Sequence, residues 1–188
     1  MSSGNGKVLY VLQNNNKLAV IDIASFSLVK EHEFKDFEAT GMAAALEELW
    51  VGDKKGLVHV LAEDLSQKAL IDKKHTQGIS VMTSSRDGKY VASGDTYRYV
   101  YVFSTETKEE VGCFPYHQAR IIGLDFNPSA THLLTVGLDL TVGVGCLADK
   151  TKKLVHRPNE KELTAAAFVD NETFFTAGYD CSIRLWSK

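Results

Sequence analysis

The sequence predicts an all-β fold, a β-propeller of four-stranded antiparallel blades, of which about four and a half are present. The first observation is an internal repeat, since a pattern of small residues, a polar turn and alternating apolar residues occurs five times in the 188 residues. The repeats begin at Val11, Val51, Ser93, Thr135 and Thr176, which are 40, 42, 42 and 41 residues apart. This period is typical of propeller blades rather than of helical solenoids.

The second observation is that every repeat carries the same apolar face. The eighth and tenth residues of the pattern are aliphatic in all five copies. They are Leu18 and Val20, Val58 and Val60, Val100 and Val102, Val142 and Val144, and Ile183 and Leu185. Alternation of this kind indicates a strand whose face is buried in each blade.

The two ends of the chain interrupt the four-strand pattern. We interpret residues 1–188 as a single partial propeller whose first and last repeats are incomplete. The repeats cover approximately residues 7–34, 35–74, 75–115, 116–157 and 158–188. The first blade is predicted to lack its inner strand and the last its outer strand, which gives 18 strands and leaves open sheet edges that invite pairing. We therefore expect a fragment of a larger propeller, or a subunit that completes its ring by association.

The third repeat shows the predicted elements most clearly, because alternating segments are bounded by turn residues. Its inner strand is expected at 78–84, its first turn at 86–89, and its remaining strands at 90–94, 99–103 and 108–114. The same division fits the fourth repeat. It fits the second repeat less well, because a short segment replaces the first turn.

An aromatic stripe in the third strand of this repeat supports burial on both sides. Tyr97, Tyr99, Tyr101 and Phe103 are predicted to face one side of the strand, and two valines the other. A strand that is apolar on both faces is sandwiched between neighbouring sheets. A stacking platform for nucleic acid is the alternative, but only Arg98 supplies charge, so we interpret the stripe as core.

Composition and charge exclude several classes of protein. The chain is 44% hydrophobic and 24% charged, and its net charge of -3 gives no general attraction to nucleic acid. The segment from Met1 to Lys7 lacks the apolar core of a signal peptide, and no run of eighteen apolar residues could span a membrane. Cys113, Cys146 and Cys181 form no metal-binding spacing, so we expect buried, reduced thiols in an intracellular protein.

The repeats resemble WD (WD40) repeats, and the segment Arg184 to Trp186 sits where that family ends its third strand, although Ser187 replaces the usual Asp. The resemblance implies a buried network of a His, a Ser or Thr, an Asp and a Trp in each blade. No blade has all four, because Gly145 stands at the Trp position of the fourth and Asn159 at the His position of the fifth. In the third, Tyr97 occupies the Asp position and Asp95 lies two residues earlier. The candidate network residues are His75, Ser93, His117, Thr135, Asp139, Thr176, Asp180 and Trp186.

A Ser or Thr, a His and an Asp also describe a hydrolase triad. The set recurs in successive repeats, which one active site would not require, so structural networks are the favoured interpretation. Phosphate-binding loops, zinc motifs and nucleophile elbows are not found in the sequence. His32, His59 and His132 have no metal-ligand spacing and are expected at the strand surface or in solvent. We therefore expect neither an enzyme nor a cofactor.

The last three repeats are more specifically similar to the carboxy-terminal blades of the actin-interacting WD-repeat family that assists cofilin. The segments that carry this likeness are SRDGKYVASGD, HQARIIGLDFNPSATHLLTVGLDLTVGV and AAAFVDNETFFTAGYDCSIRLW. The resemblance implies a cytoplasmic, cytoskeleton-associated protein that binds actin filaments with cofilin and promotes their disassembly. It also implies a parent with two propellers.

Two questions stay open at the level of sequence. Lys150, Lys152, Lys153 and Arg157 could contact an acidic partner, but a charged outer strand that resists edge pairing explains them as well. A generic WD-repeat scaffold of another complex is the alternative to the actin-related function.

Overall fold

The computed structural model describes residues 6–188. The prediction that Met1 to Lys7 contains no signal peptide therefore falls mostly outside the described residues. Within that range the chain forms eighteen β-strands. They are β1 (Val8–Leu12), β2 (Lys17–Asp22), β3 (Leu28–Glu33), β4 (Ala39–Ala45), β5 (Glu48–Asp53), β6 (Val58–Leu61), β7 (Gln67–Ile71), β8 (Ile79–Ser84), β9 (Tyr90–Asp95), β10 (Val100–Ser104), β11 (Glu110–Cys113), β12 (Ile121–Phe126), β13 (His132–Gly137), β14 (Thr141–Cys146), β15 (Lys152–His156), β16 (Leu163–Phe168), β17 (Thr173–Gly178) and β18 (Ile183–Ser187).

The strands form five antiparallel sheets, which we call blades 1 to 5. Blade 1 contains β1 to β3, and blade 5 contains β16 to β18. Blades 2, 3 and 4 each contain four strands that pair with their neighbours in chain order. The predicted all-β fold class is thereby confirmed, and the sheets form an open arc.

The blades share one orientation, because their inner strands run side by side. The Ser80 hydroxyl of β8 donates to the Ile121 carbonyl of β12 at 2.6 Å, near the start of both strands. The Phe168 amide of β16 donates to Asp125 of β12 at 2.7 Å, near the end of both. The turns between the second and third strands therefore lie on one face of the arc, which we call the turn face. These turns are residues 13–17, 53–57, 95–99, 137–141 and 178–182.

Each blade packs on the next through the same positions of the repeat. The residue before the start of the pattern and its eighth and tenth residues are buried in blades 1 to 4. They are Tyr10, Leu18 and Val20, then Trp50, Val58 and Val60, then Ala92, Val100 and Val102, and finally Leu134, Val142 and Val144. In blade 5 the same positions are Phe175, Ile183 and Leu185, and the last two are 77% and 69% exposed. We call these three residues the end face.

Two expectations about individual side chains need correction. The aromatic stripe is not buried throughout, because Phe103 is fully buried whereas Tyr97 is 51% exposed. Tyr97 precedes β10 and lies in the turn, beyond the cover of the neighbouring blades. All three cysteines are free thiols, but none is fully buried as expected. Cys113 and Cys146 are half-buried, and Cys181 is exposed because it also lies in a turn.

Candidate functional site

The candidate network residues of blade 3 lie together in its interior. His75 enters from the segment before β8, and its Nε2 lies 2.7 Å from Ser93 Oγ on β9. Its Nδ1 lies 3.0 Å from Asp95 Oδ2. The other carboxylate oxygen of Asp95 accepts the amides of Tyr97, Arg98 and Tyr99. Asp95 therefore takes the role of the network Asp, although the repeat alignment placed Tyr97 at that position. A carboxylate at the first residue of this turn can reach both the turn amides and the histidine.

Blade 4 contains the same arrangement with the Asp two residues later in the turn. His117 Nε2 lies 2.8 Å from Thr135 Oγ1, and Nδ1 lies 3.1 Å from Asp139 Oδ1. Asp139 also accepts the Gln118 amide at 2.7 Å. Burial lowers the pKa of His117, although Asp139 opposes this effect, so the ring is favoured in its neutral form.

Blade 4 lacks a Trp, and aromatic residues from the preceding connection fill the space. A Cβ on Gly145 would lie 2.8 Å from the Phe114 ring and 2.9 Å from the Tyr116 hydroxyl oxygen. That oxygen is the single buried side-chain N or O atom without a hydrogen-bond partner in the described part of the chain. Gly145 is therefore required by close packing rather than by backbone conformation.

In blade 5 an amide replaces the histidine. Thr176 Oγ1 donates to Asn159 Oδ1 at 2.7 Å and accepts the Trp186 indole N–H at 3.0 Å. Asn159 Nδ2 donates to Asp180 Oδ1 at 3.1 Å, and the Glu160 amide donates to Asp180 Oδ2 at 2.8 Å. The Glu160 amide and the other donors lower the pKa of Asp180 well below its usual range, despite some desolvation.

Blade 2 contains a network that the sequence did not reveal. His59, expected at the strand surface or in solvent, is buried, and its Nε2 lies 3.1 Å from Asp53 Oδ2. Its ring stacks on Phe37 with centroids 3.6 Å apart. His59 lies on the third strand of its blade, whereas the WD-type pattern expects the network His before the inner strand. A search at the expected position therefore does not find it. The available signal was Asp53, which occupies the same turn position as Asp95.

The networks have the atoms of a hydrolase triad but no access to a substrate. The side chains of His75, Asp95 and His117 are 0% exposed. A triad needs a nucleophile beside a cleft, whereas these hydroxyls are buried within blades. In residues 6–188, no group of three His, Cys, Asp or Glu side chains is placed to hold a metal ion.

The four candidate contact residues lie on the outer rim of blade 4 and are all exposed. Lys150 donates to the Val111 carbonyl of blade 3, and the Lys152 ammonium lies 4.8 Å from the centroid of the Tyr116 ring. Lys153 lines a cavity of about 280 Å³ together with Lys152. Arg157 follows the end of β15, where its amide donates to a carbonyl of the turn face.

No helix with the length and hydrophobicity needed to cross a membrane occurs between residues 6 and 188.

Comparison with known proteins gives one family match. The WD domain, G-beta repeat, matches residues 150–187. This range begins just before β15 and ends with β18, so the repeat contains the outer strand of one blade and three strands of the next.

Similarity to characterised sequences extends over almost the whole chain. The 66 kDa stress protein of Physarum polycephalum is 27% identical over 192 residues, which cover 97% of this chain and 31% of that protein. Actin-interacting protein 1 of Drosophila melanogaster is 25% identical over 195 residues, which cover 95% of this chain and 31% of that protein. The chain thus spans about a third of the length of these two relatives.

A solved structure has the same fold. A propeller chain in the crystal structure of the mitotic checkpoint complex superposes with a TM-score of 0.86. The superposition covers 100% of this chain and 60% of that chain at 16% sequence identity, so the likeness concerns the fold alone. The five sheets and the structural likeness show that the chain has a β-propeller fold, and residues 150–187 match a WD-type repeat.

Proposed function

We propose that the chain is a non-enzymatic interaction module that binds actin filaments together with cofilin and promotes filament disassembly in the cytoplasm. The observation that carries this proposal is the similarity to actin-interacting protein 1, which covers 95% of the chain. This similarity extends well beyond residues 150–187, which are the segment that matches the WD repeat family.

The arrangement of titratable groups supports a binding function without catalysis. Asp125 is the single carboxylate on the four inner strands, and it accepts the Phe168 amide of the next blade. Burial raises the pKa of Asp125. A carboxylate that joins two blades in this way stabilises their packing, and we propose the same structural part for the buried networks.

Rigid turns suit a protein that distinguishes two states of a filament. The networks fix the turns of blades 2 to 5 from within, so that binding costs little conformational entropy. The proposal requires that a filament decorated with cofilin present a surface different from that of a bare filament. A rigid surface that fits the decorated form better than the bare form would shift the filament toward the decorated form by that difference in affinity.

The rim of blade 4 is proposed to assist by electrostatic attraction. Lys153 and Arg157 form no ion pair within 4.0 Å in the described residues, so their charges are available to an acidic partner. Rim charges of this kind raise the association rate more than the affinity. Lys150 and Lys152 contribute less, because each already has an intramolecular contact.

Self-association is a second proposed property of the chain. The first and last sheets each have three strands, and β1 and β18 each pair with one described strand only. Unpaired strand edges and the exposed end face can both be covered by another copy.

The disassembly of single fluorescent filaments tests the proposed function directly. Filaments saturated with cofilin should shorten or sever faster after the chain is added, and bare filaments should not. A chain that remains folded but leaves cofilin-decorated filaments unchanged would contradict the proposal and favour a scaffold in another complex.

A further inference from the structure

Three consecutive blades each expose one large apolar or aromatic side chain on the turn face. Tyr97 in blade 3, Leu138 in blade 4 and Tyr179 in blade 5 are 51%, 45% and 66% exposed. Leu138 and Tyr179 occupy the same position of their turns, and Tyr97 is one residue further along. Blade 2 has Lys54 at this position, so the apolar series is confined to blades 3 to 5.

The same backbone hydrogen bond holds each of these turns against the segment before the inner strand. The Leu138 amide donates to the Arg120 carbonyl, and the Tyr179 amide to the Glu162 carbonyl, both at 2.9 Å. In blade 3 the amide that precedes Tyr97 donates to the Gly78 carbonyl at 2.8 Å. The exposed side chains therefore stand on fixed turns, and they follow one another around the arc.

Cationic side chains accompany the apolar ones. The Arg98 guanidinium lies 5.2 Å from the centroid of the Tyr97 ring and 5.1 Å from that of Tyr99. Arg120 is exposed beside Leu138. Neither guanidinium has a carboxylate within 4.0 Å among the described residues.

The carboxylates of the same turns are withdrawn from the surface. The side chains of Asp95, Asp139 and Asp180 are 0%, 13% and 6% exposed, because they accept hydrogen bonds inside the networks. The local surface thus presents aromatic, aliphatic and guanidinium groups with little opposing negative charge. Glu160 and Glu162 beside the turn of blade 5 are the exceptions, since both are exposed.

We propose that Tyr97, Leu138 and Tyr179, with Arg98 and Arg120, form the docking surface of this chain for a protein surface that carries carboxylates around apolar side chains. Tyrosine and arginine supply most of the binding energy in many interfaces, and rigid presentation lowers the entropic cost. The occupant is the cofilin-decorated filament, so this inference rests on the proposed function. The end face is a different surface, because its positions are those that bury one blade against the next.

The test is co-sedimentation of variants with cofilin-decorated actin filaments. The double variant Tyr97→Ser with Tyr179→Ser should bind at least about tenfold more weakly than the unchanged chain, as expected for central aromatic contacts. The matched control is Phe26→Ser with Leu70→Ser, which removes two exposed apolar side chains of blades 1 and 2, outside the proposed docking surface. The control should bind within about twofold of the unchanged chain.

A second variant, Arg98→Glu with Arg120→Glu, tests the charge requirement without touching a buried side chain. It should also weaken binding by about tenfold. If the tyrosine variant, the arginine variant and the control all bind decorated filaments with equal affinity, the proposed docking surface is wrong. The proposed function would then remain intact. Failure of the unchanged chain to bind decorated filaments would overturn the proposed function and this surface together.

Discussion

At the scale of the residue, the hydroxyl of Thr176 shows why these blades need polar side chains in their interior. It donates to Asn159 and accepts from Trp186, and the threonine is fully buried. Loss of a partner leaves a buried donor or acceptor without a hydrogen bond, and this costs more than the bond itself contributes.

Thr176→Val should therefore lower the free energy of unfolding by about 1–3 kcal/mol, since the side chain keeps its shape but loses the hydroxyl. Urea denaturation followed by tryptophan fluorescence measures this change. The control is Thr164→Val, at an exposed position of β16 in the same blade. Equal stability of the two variants would refute the structural role of the hydroxyl.

The buried ring of His117 should make the free energy of unfolding depend on pH. Burial lowers its pKa in the folded chain, so below the unfolded value of about 6.5 the unfolded chain binds the proton more readily. The free energy of unfolding should fall as the pH decreases from 7.5 to 5.5. His132 contributes with the same sign, because burial and Lys188 lower its pKa as well.

Urea denaturation at several pH values, for the unchanged chain and for His117→Gln, isolates the contribution of His117. The variant should be less stable at pH 7.5 but should lose less stability on acidification. Parallel pH profiles for the two proteins would contradict a depressed pKa at His117.

At the scale of the element, the turns between the second and third strands explain both a success and a failure of sequence-based reasoning. Alternating segments bounded by polar turns predicted the four-stranded blades, because strand periodicity is a local property. The networks were less accessible to prediction. Asp95 and His59 reach their partners from unexpected positions, since a carboxylate or an imidazole can enter the same interior space from different strands or turn residues.

The turn of blade 5 also contains backbone strain. Cys181 has a φ of 60°, a left-handed conformation that favours glycine. Because the side chain is exposed, Cys181→Gly should lose little packing and raise the free energy of unfolding by about 1 kcal/mol. Cys181→Ala is the control and should give no comparable gain, since alanine keeps the Cβ. Chemical denaturation under reducing conditions measures both, and an alanine variant as stable as the glycine variant would refute the assignment of strain.

At the scale of the whole molecule, the exposed end face repeats a surface that is buried at four other places in the arc. Its position could be predicted from the five-fold repeat, because the aliphatic residues recur in every copy. The exposure of Tyr97 and Tyr179 could not be predicted so readily, since periodicity does not show which turn side chains the neighbouring blades leave uncovered.

If the end face mediates self-association, Ile183→Asp with Leu185→Asp should weaken it by roughly tenfold, because both carboxylates would be desolvated in the contact. Sedimentation velocity over a range of concentrations measures this effect. Phe26→Asp with Leu28→Asp, also at exposed apolar positions, is the control. A monomer at all concentrations, or an equal effect of both pairs, would show that the end face does not join two copies.

The proposed function requires that this chain bind cofilin-decorated actin filaments in preference to bare ones. Co-sedimentation of the unchanged chain with actin filaments, with and without saturating cofilin, measures this preference. We expect the fraction of the chain in the pellet to rise when cofilin is present and to saturate as filaments are added. A folded chain that stays in the supernatant under both conditions, or that pellets equally with both, would refute the preference.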